Sequence, residues 1–163
     1  MKRALVSLTL VAILFTTVGF GSTARADEAE LLIKASHSLE QMPLGDDAKK
    51  TRGWAIEWLS ATDKVSVTLC GLLISKLDKN YKYQSELFGQ YTIGMGAFKL
   101  ENPDLATDED AVQEAGIESA LKVYEVILAA QPKAKNAFMD GLLAKREDGA
   151  LAAYLRDNNC KEK

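Results

Sequence analysis

One stretch of the chain decides the fold, Thr107–Ala130, which reads TDEDAVQEAGIESALKVYEVILAA. Its apolar and small side chains recur at helical spacing in two adjacent rows, which are Val112, Gly116, Ala120, Val123 and Ile127, and Ile117, Leu121, Tyr124 and Leu128. Two such rows are typical of a helix that is covered on most sides. Thr107 and Asp110 have the spacing of a capping box. We therefore predict a central helix that begins after Thr107 and ends before Pro132.

The rest of the chain also has helical spacing. It predicts six further helices, over 27–41, 46–60, 62–77 and 83–101 and near Leu142 and Leu155. The first would bury one face, made of Leu31, Leu32, Ala35 and Leu39. Side chains alternate over 64–69 as in a short strand, but the longer helical period favours a helix there, with a capping box at Ser60 and Asp63. The sequence predicts an all-α fold, a compact bundle of six or seven helices.

Three glycines lie inside the fourth predicted helix, at Gly89, Gly94 and Gly96. Each costs a helix about 1 kcal/mol relative to alanine. The usual compensation is close approach by a neighbouring backbone, so we predict tight helix packing at this face. The same face would also suit a helix-on-helix contact in a homodimer. The lysine and hydroxyl residue that complete a phosphate-binding P-loop are missing after these glycines.

The first 26 residues have the three parts of a secretory signal peptide. A basic start, Met1–Arg3, precedes an uncharged apolar stretch, and Ala24–Ala26 forms an Ala-x-Ala end. The alternative is an uncleaved membrane anchor, although the apolar stretch is short and diluted by hydroxyl residues. Cleavage would leave one domain over 27–163, exported to the periplasm or the outside of the cell. Removal of three basic residues and no acidic one would change the net charge from −3 to −6.

Two cysteines, Cys70 and Cys160, fall in the predicted mature domain. An even cysteine count in an exported protein favours a disulfide, and the wide spacing is unlike that of a redox motif. Two free thiols and a redox pair are the alternatives. A bridge would hold the segment from Ala150 onward against the predicted helix that contains Cys70.

No arrangement of catalytic, cofactor-binding or metal-binding residues is apparent. His37 is the single histidine, which is too few for a His-rich metal site, and no nucleophile motif accompanies it. We expect a partly exposed helix residue there. The acidic stretch 104–114 lacks the spacing of a calcium-binding EF-hand and suits a helix start. A net negative charge argues against a nucleic-acid partner, and no segment after the leader is long and apolar enough to span a membrane.

Aromatic residues are the remaining candidates for a binding site. A recognition surface or a cavity would draw on Trp54, Trp58, Tyr81, Tyr83, Tyr91 and Met95. Core packing is the alternative use of these side chains. Within the group, we expect Tyr81, Lys82 and Tyr83 to be exposed, because they lie at a helix junction.

Three functions stay open at this point. The first is a non-catalytic module that binds another envelope or extracellular protein, including a toxin or hydrolase that it restrains. The second is a carrier of a small ligand or lipid, with a cavity lined by Met95, Tyr91 and Trp58. The third is a hydrolase with paired carboxylates, which would show two inward-facing carboxyl groups, at least one with a raised pKa.

Overall fold

The computed structural model describes residues 23–160. These residues form seven helices and no strand, which confirms the all-α prediction. The helices are α1 (Thr23–Gln41), α2 (Ala48–Ala61), α3 (Gly71–Lys76), α4 (Gln84–Glu101), α5 (Glu109–Ala130), α6 (Ala137–Glu147) and α7 (Leu151–Asn158), with short 3-10 turns at Pro103–Leu105 and Pro132–Ala134. Residues 1–22, most of the predicted signal peptide, lie outside the described residues, and its cleavage stays a prediction.

Helix α5 is the central helix, as predicted. It packs along α4 and also contacts α1, α6 and α7. Its fully buried side chains include Val112, Ile117, Leu121, Val123, Tyr124 and Ile127. The predicted capping box is wrong by one residue: the N-cap is Asp108, whose carboxylate accepts a hydrogen bond from the Ala111 backbone N–H at 3.1 Å. Asp108 has the extended backbone that an N-cap requires, and its side chain therefore satisfies a free N–H of the first turn.

Close approach between α4 and α5 explains two of the glycines. A Cβ atom at Gly94 would lie 2.5 Å from Cβ of Ser119, and one at Gly116 would lie 2.9 Å from the backbone oxygen of Tyr91. Atoms cannot approach so closely without a shift of one helix. Gly94 therefore packs closely against α5, and a glycine of the facing helix, Gly116, does the same from the other side. Gly89 and Gly96 lie elsewhere on α4, against the side chains of Arg52 and Leu59 of α2, so the three glycines do not form the single face that was predicted.

The third predicted helix is much shorter than expected. Residues 62–70 are not helical, and α3 begins only at Gly71. The strand-like alternation over 64–69 matched the observed extended backbone better than the helical spacing did, because β-branched residues favour extended backbone. The predicted capping box is also absent, since the Ser60 hydroxyl donates to the Ile56 carbonyl at 2.8 Å.

Side chains of the core hold this extended segment in place. Tyr91 donates its hydroxyl proton to Gln113 Oε1 and accepts from the Cys70 backbone N–H at 3.3 Å. Gln113 Nε2 donates to the Thr68 carbonyl at 2.7 Å, and Asn159 Nδ2 donates to Gln113 Oε1 at 2.9 Å. Because backbone groups need partners when buried, these side chains replace the hydrogen bonds that a helix would have supplied.

The disulfide between Cys70 and Cys160 is present, with the two Cα atoms 4.9 Å apart. The C-terminal segment is docked as predicted, through the buried side chains of Leu151 and Leu155. Its main support differs from the prediction: α7 packs on α5 and α6, and Cys70 stands immediately before α3 rather than inside a helix. The bridge therefore fastens the extended segment to the end of the chain.

Candidate functional site

The predicted aromatic candidates do not form one site. Tyr91 and Met95 are fully buried in the main core, where both contact the position of Gly116. Trp54 and Trp58 lie on α2 and pack against a second, smaller core between α1, α2 and α4. The cavity that Met95, Tyr91 and Trp58 were expected to line is therefore not formed by these residues, which belong to two separate clusters.

The predicted exposed group at the start of α4 is also divided. Lys82 is exposed, but Tyr83 is only 6% exposed and Tyr81 is partly buried. The hydroxyl of Tyr81 donates to the Ala134 carbonyl at 2.7 Å, and its ring meets that of Tyr83 edge-on at 5.9 Å. Burial raises the pKa of Tyr81 to about 12. The prediction of exposure at this helix junction therefore holds for Lys82, whereas Tyr81 and Tyr83 pack in or against the main core.

A surface groove between α1 and α2 has mostly apolar walls. Its volume is about 580 Å³, and its walls include Leu31 and Ala35 of α1 and Trp54 of α2. Three charged side chains, Lys34, Asp47 and Lys50, stand among its lining residues. An apolar centre bordered by charged groups is the usual composition of a protein-binding surface.

Three large apolar side chains of α1 and the loop that follows it are exposed. Leu31 is 46% exposed, and the loop between α1 and α2 adds Met42 at 62% and Leu44 at 44%. We call these three residues, together with the groove, the α1–α2 surface. Large contiguous apolar patches on a protein surface commonly mark interaction sites, whereas single exposed apolar residues are ordinary.

The prediction that Leu31 belongs to the buried face of the first helix is wrong. Leu32, Ala35 and Leu39 are buried, whereas Leu31 lies one residue before Leu32 and therefore about 100° away around the helix. Adjacent leucines cannot both point into a core that covers one side of a helix. The pair Leu31–Leu32 was the signal in the sequence that could have identified the exposed apolar surface.

A largely buried polar network joins α1, α4 and α5. Gln90 Nε2 donates to the Ser119 hydroxyl at 2.7 Å, and Ser119 donates to Glu40 Oε1 at 2.6 Å. Lys122 pairs with the other oxygen of Glu40 at 3.0 Å. The network links three helices through hydrogen bonds of Gln90 Nε2, Ser119 and Glu40, while the buried Oε1 of Gln90 has no hydrogen-bond partner within the described part of the protein.

His37 stands at the edge of this network and does not complete a catalytic triad. Its Nε2 lies 2.9 Å from Glu101 Oε1, and its Nδ1 lies 3.6 Å from Glu40 Oε2. The hydrogen bond with Glu101 raises the pKa of His37, against a smaller opposing effect of burial. Ser119 bonds directly to the carboxylate of Glu40, whereas a triad requires the histidine between the serine and the acid. His37 is, as expected, a partly exposed helix residue.

One carboxyl group has a raised pKa, that of Glu118, and burial is the main cause. Its Oε2 faces Arg146 Nη1 at 3.7 Å, and Arg146 also pairs with Glu125 at 2.6 Å. The arginine lowers the pKa of Glu118 in part, while the charge of Glu114 raises it further. This carboxyl group therefore belongs to an ion-pair cluster between α5 and α6.

Within residues 23–160, no group of three or more histidine, cysteine, aspartate or glutamate side chains is placed to hold a metal ion. Over the same range, no helix has the length and apolar character needed to cross a membrane. Comparison with known proteins gave no significant match to a family model, a curated protein or a solved structure.

Proposed function

We propose that the protein is an exported, non-catalytic module that binds another protein of the cell envelope or the extracellular space through the α1–α2 surface. The observation that supports this most is an apolar groove of about 580 Å³ lined by the exposed Leu31, together with the exposure of Met42 and Leu44 in the loop between its two helices. Burial of apolar area on a partner would stabilise a complex by roughly 25 cal/mol per Å² before the costs of association.

The shape of the groove favours an amphipathic helix of the partner as the bound segment. Two helices form its walls, and Leu31 to Ser38 on α1 covers about two turns. A helix that presents apolar side chains at positions i, i+3 and i+4 matches a groove of this length. The charged groups Lys34, Asp47 and Lys50 would then meet the polar sides of that helix.

The proposed location rests on two features. The leader has the parts of a signal peptide, and the bridge between Cys70 and Cys160 is of the kind that persists in oxidising compartments. A periplasmic or extracellular site of action accounts for both.

A capture experiment with matched variants tests the proposal. Leu31→Glu places a charge on the α1–α2 surface, and Leu105→Glu places the same charge on a leucine of similar exposure, 44% against 46%, outside it. Proteins captured from native envelope extract by the wild type should be retained by Leu105→Glu and lost from Leu31→Glu. Equal capture by both variants, or no specific capture by the wild type, would overturn the proposal.

The size of the purified protein in solution separates a partner from a second copy. Light scattering should show a monomer for the wild type and for both variants. A wild-type dimer that Leu31→Glu converts to a monomer would assign the α1–α2 surface to self-association and contradict the proposed heterologous partner.

A further inference from the structure

A second, polar pocket lies between the segment that precedes α4 and the turn that joins α5 to α6. Its volume is about 480 Å³, and it shares no lining residue with the groove of the α1–α2 surface. The hydrogen bond from the Tyr81 hydroxyl to the Ala134 carbonyl joins its two walls. Tyr81 is partly buried, and its hydrogen bond ties together the two segments that line the pocket.

The charge of the pocket is opposite to that of the whole protein. Lys82, Lys133 and Lys135 line it and are exposed, against one carboxylate, Asp78. The carboxylate of Asp78 is engaged by its own loop, since Oδ1 accepts from the Asn80 backbone N–H at 2.8 Å. The lining residues therefore carry an excess of two positive charges, while the carboxylates of Asp140 and Glu86 stand close enough to Tyr81 to add to the rise in its pKa that burial causes.

In the described part of the chain, the three pocket lysines form none of the ion pairs that two other lysines of the protein form with carboxylates. Lys99 and Lys122 are paired with Glu109 and Glu40 at 2.9 and 3.0 Å. Over residues 23–160, no such ion pair is formed by the three lysines of the pocket, and the Lys82 ammonium instead lies 5.0 Å from the centroid of the Tyr83 ring. Positive charges that line one pocket attract an anion to it.

Neutral hydrogen-bonding groups complete the lining. Asn80, Gln131 and Asn136, which carry side-chain amides, are among the lining residues. The Asn136 side-chain oxygen caps α6 by accepting from the Phe138 and Met139 backbone N–H groups at 3.1 and 3.2 Å. Its NH₂ group, a hydrogen-bond donor, is the part that remains for a ligand.

We propose that this pocket binds the phosphate group of a phosphate ester, with Lys82, Lys133 and Lys135 neutralising its charge. Lysine acts as a point charge toward phosphate and needs no planar, two-pronged contact of the kind that arginine makes with carboxylates. A volume of about 480 Å³ leaves room for an organic group beside the phosphate. The ester is either a small soluble molecule or the headgroup of a phospholipid, since both present the same chemistry.

Calorimetric titration of the full chain with glycerol 3-phosphate tests the proposal. The triple variant Lys82→Gln, Lys133→Gln, Lys135→Gln should bind at least about tenfold more weakly than the wild type. A control triple variant, Lys49→Gln, Lys64→Gln, Arg156→Gln, removes the same charge from exposed basic residues that line neither the pocket nor the groove, and it should bind within about twofold of the wild type. Higher salt should weaken binding to the wild type, because exposed charges are screened.

Three results would overturn the proposal: no binding of glycerol 3-phosphate, equal weakening in both triple variants, or binding of acetate as tight as that of the phosphate ester. Vesicles that contain phosphatidylglycerol, compared with neutral phosphatidylcholine vesicles, separate the two sources of the ester. Selective binding to the phosphatidylglycerol vesicles that the pocket variant loses assigns the headgroup. Binding of glycerol 3-phosphate without any vesicle binding assigns a soluble ester.

Discussion

Replacement of Gly116 by alanine should destabilise the protein, whereas the same replacement at Gly141 should stabilise it. Both residues lie inside helices, so alanine improves the intrinsic helix propensity of each by about 1 kcal/mol. At Gly141 nothing lies within 4 Å of an added Cβ, and the full gain is expected.

At Gly116 the added Cβ would lie 2.9 Å from the backbone oxygen of Tyr91 and 2.5 Å from Cγ of Met95. Met95 can shift, but a backbone oxygen of α4 can move only with its helix. Overpacking of this kind costs about 1–3 kcal/mol, which exceeds or matches the propensity gain. We expect a net loss of about 1 kcal/mol in the free energy of unfolding for Gly116→Ala.

Urea denaturation of the wild type and the two variants, followed by helical circular dichroism, measures both changes. The variants should differ from each other by about 2 kcal/mol, with Gly141→Ala above the wild type and Gly116→Ala below it. If Gly116→Ala proved as stable as Gly141→Ala, α4 and α5 would not be in the close contact described above.

Two further predictions concern the bridge and the histidine. Cys160→Ser opens a loop closed by cysteines 90 residues apart. The chain-entropy relation sets the resulting loss in the free energy of unfolding at up to about 4–5 kcal/mol. An unfolding midpoint unchanged from that of the oxidised wild type would contradict this prediction. His37 has a raised pKa in the folded state, so its interaction with Glu101 should stabilise the fold below about pH 6.5 and cease to do so as pH rises through the folded-state pKa. His37→Asn should therefore be less stable than the wild type at pH 5.5, by at most about 1 kcal/mol for so exposed a pair, and equal to it at pH 9; a difference independent of pH would exclude this linkage.

The fold was largely predictable because its main signals are periodic and local. The two apolar rows of α5 and the internal glycines of α4 each require burial or close approach, and the structure meets both requirements. The bridge between Cys70 and Cys160 followed from the compartment that the leader implies.

The extended segment over 62–70 was mistaken for a helix because its own residues also fit helical spacing. Its backbone is held by Gln113 and Tyr91, which lie more than 20 residues further along the chain. A tertiary contact of this kind overrides local helical spacing, and only the alternation of Val65 and Val67 hinted at it.

The candidate binding surfaces were missed for a related reason. Leu31 and Met42 look like core residues in a sequence, because apolar character alone does not show which side chains a neighbouring helix covers. The pocket lysines fall in two groups about 50 residues apart, near Lys82 and near Lys133, and only the packing of α4 against α5 brings them to one place. Tyr91 and Tyr83 were counted as candidates because aromatic side chains serve cores and surfaces equally well.

Site-specific photo-crosslinking tests the central claim, that the protein acts by docking another protein on the α1–α2 surface. A photoreactive amino acid would replace Leu31 in one sample and Leu105 in the other, since the two leucines have nearly the same exposure. Irradiation in native envelope extract should yield a discrete crosslinked species with a second protein from position 31 and none from position 105. Crosslinking of equal extent from both positions, or from neither, would contradict the claim.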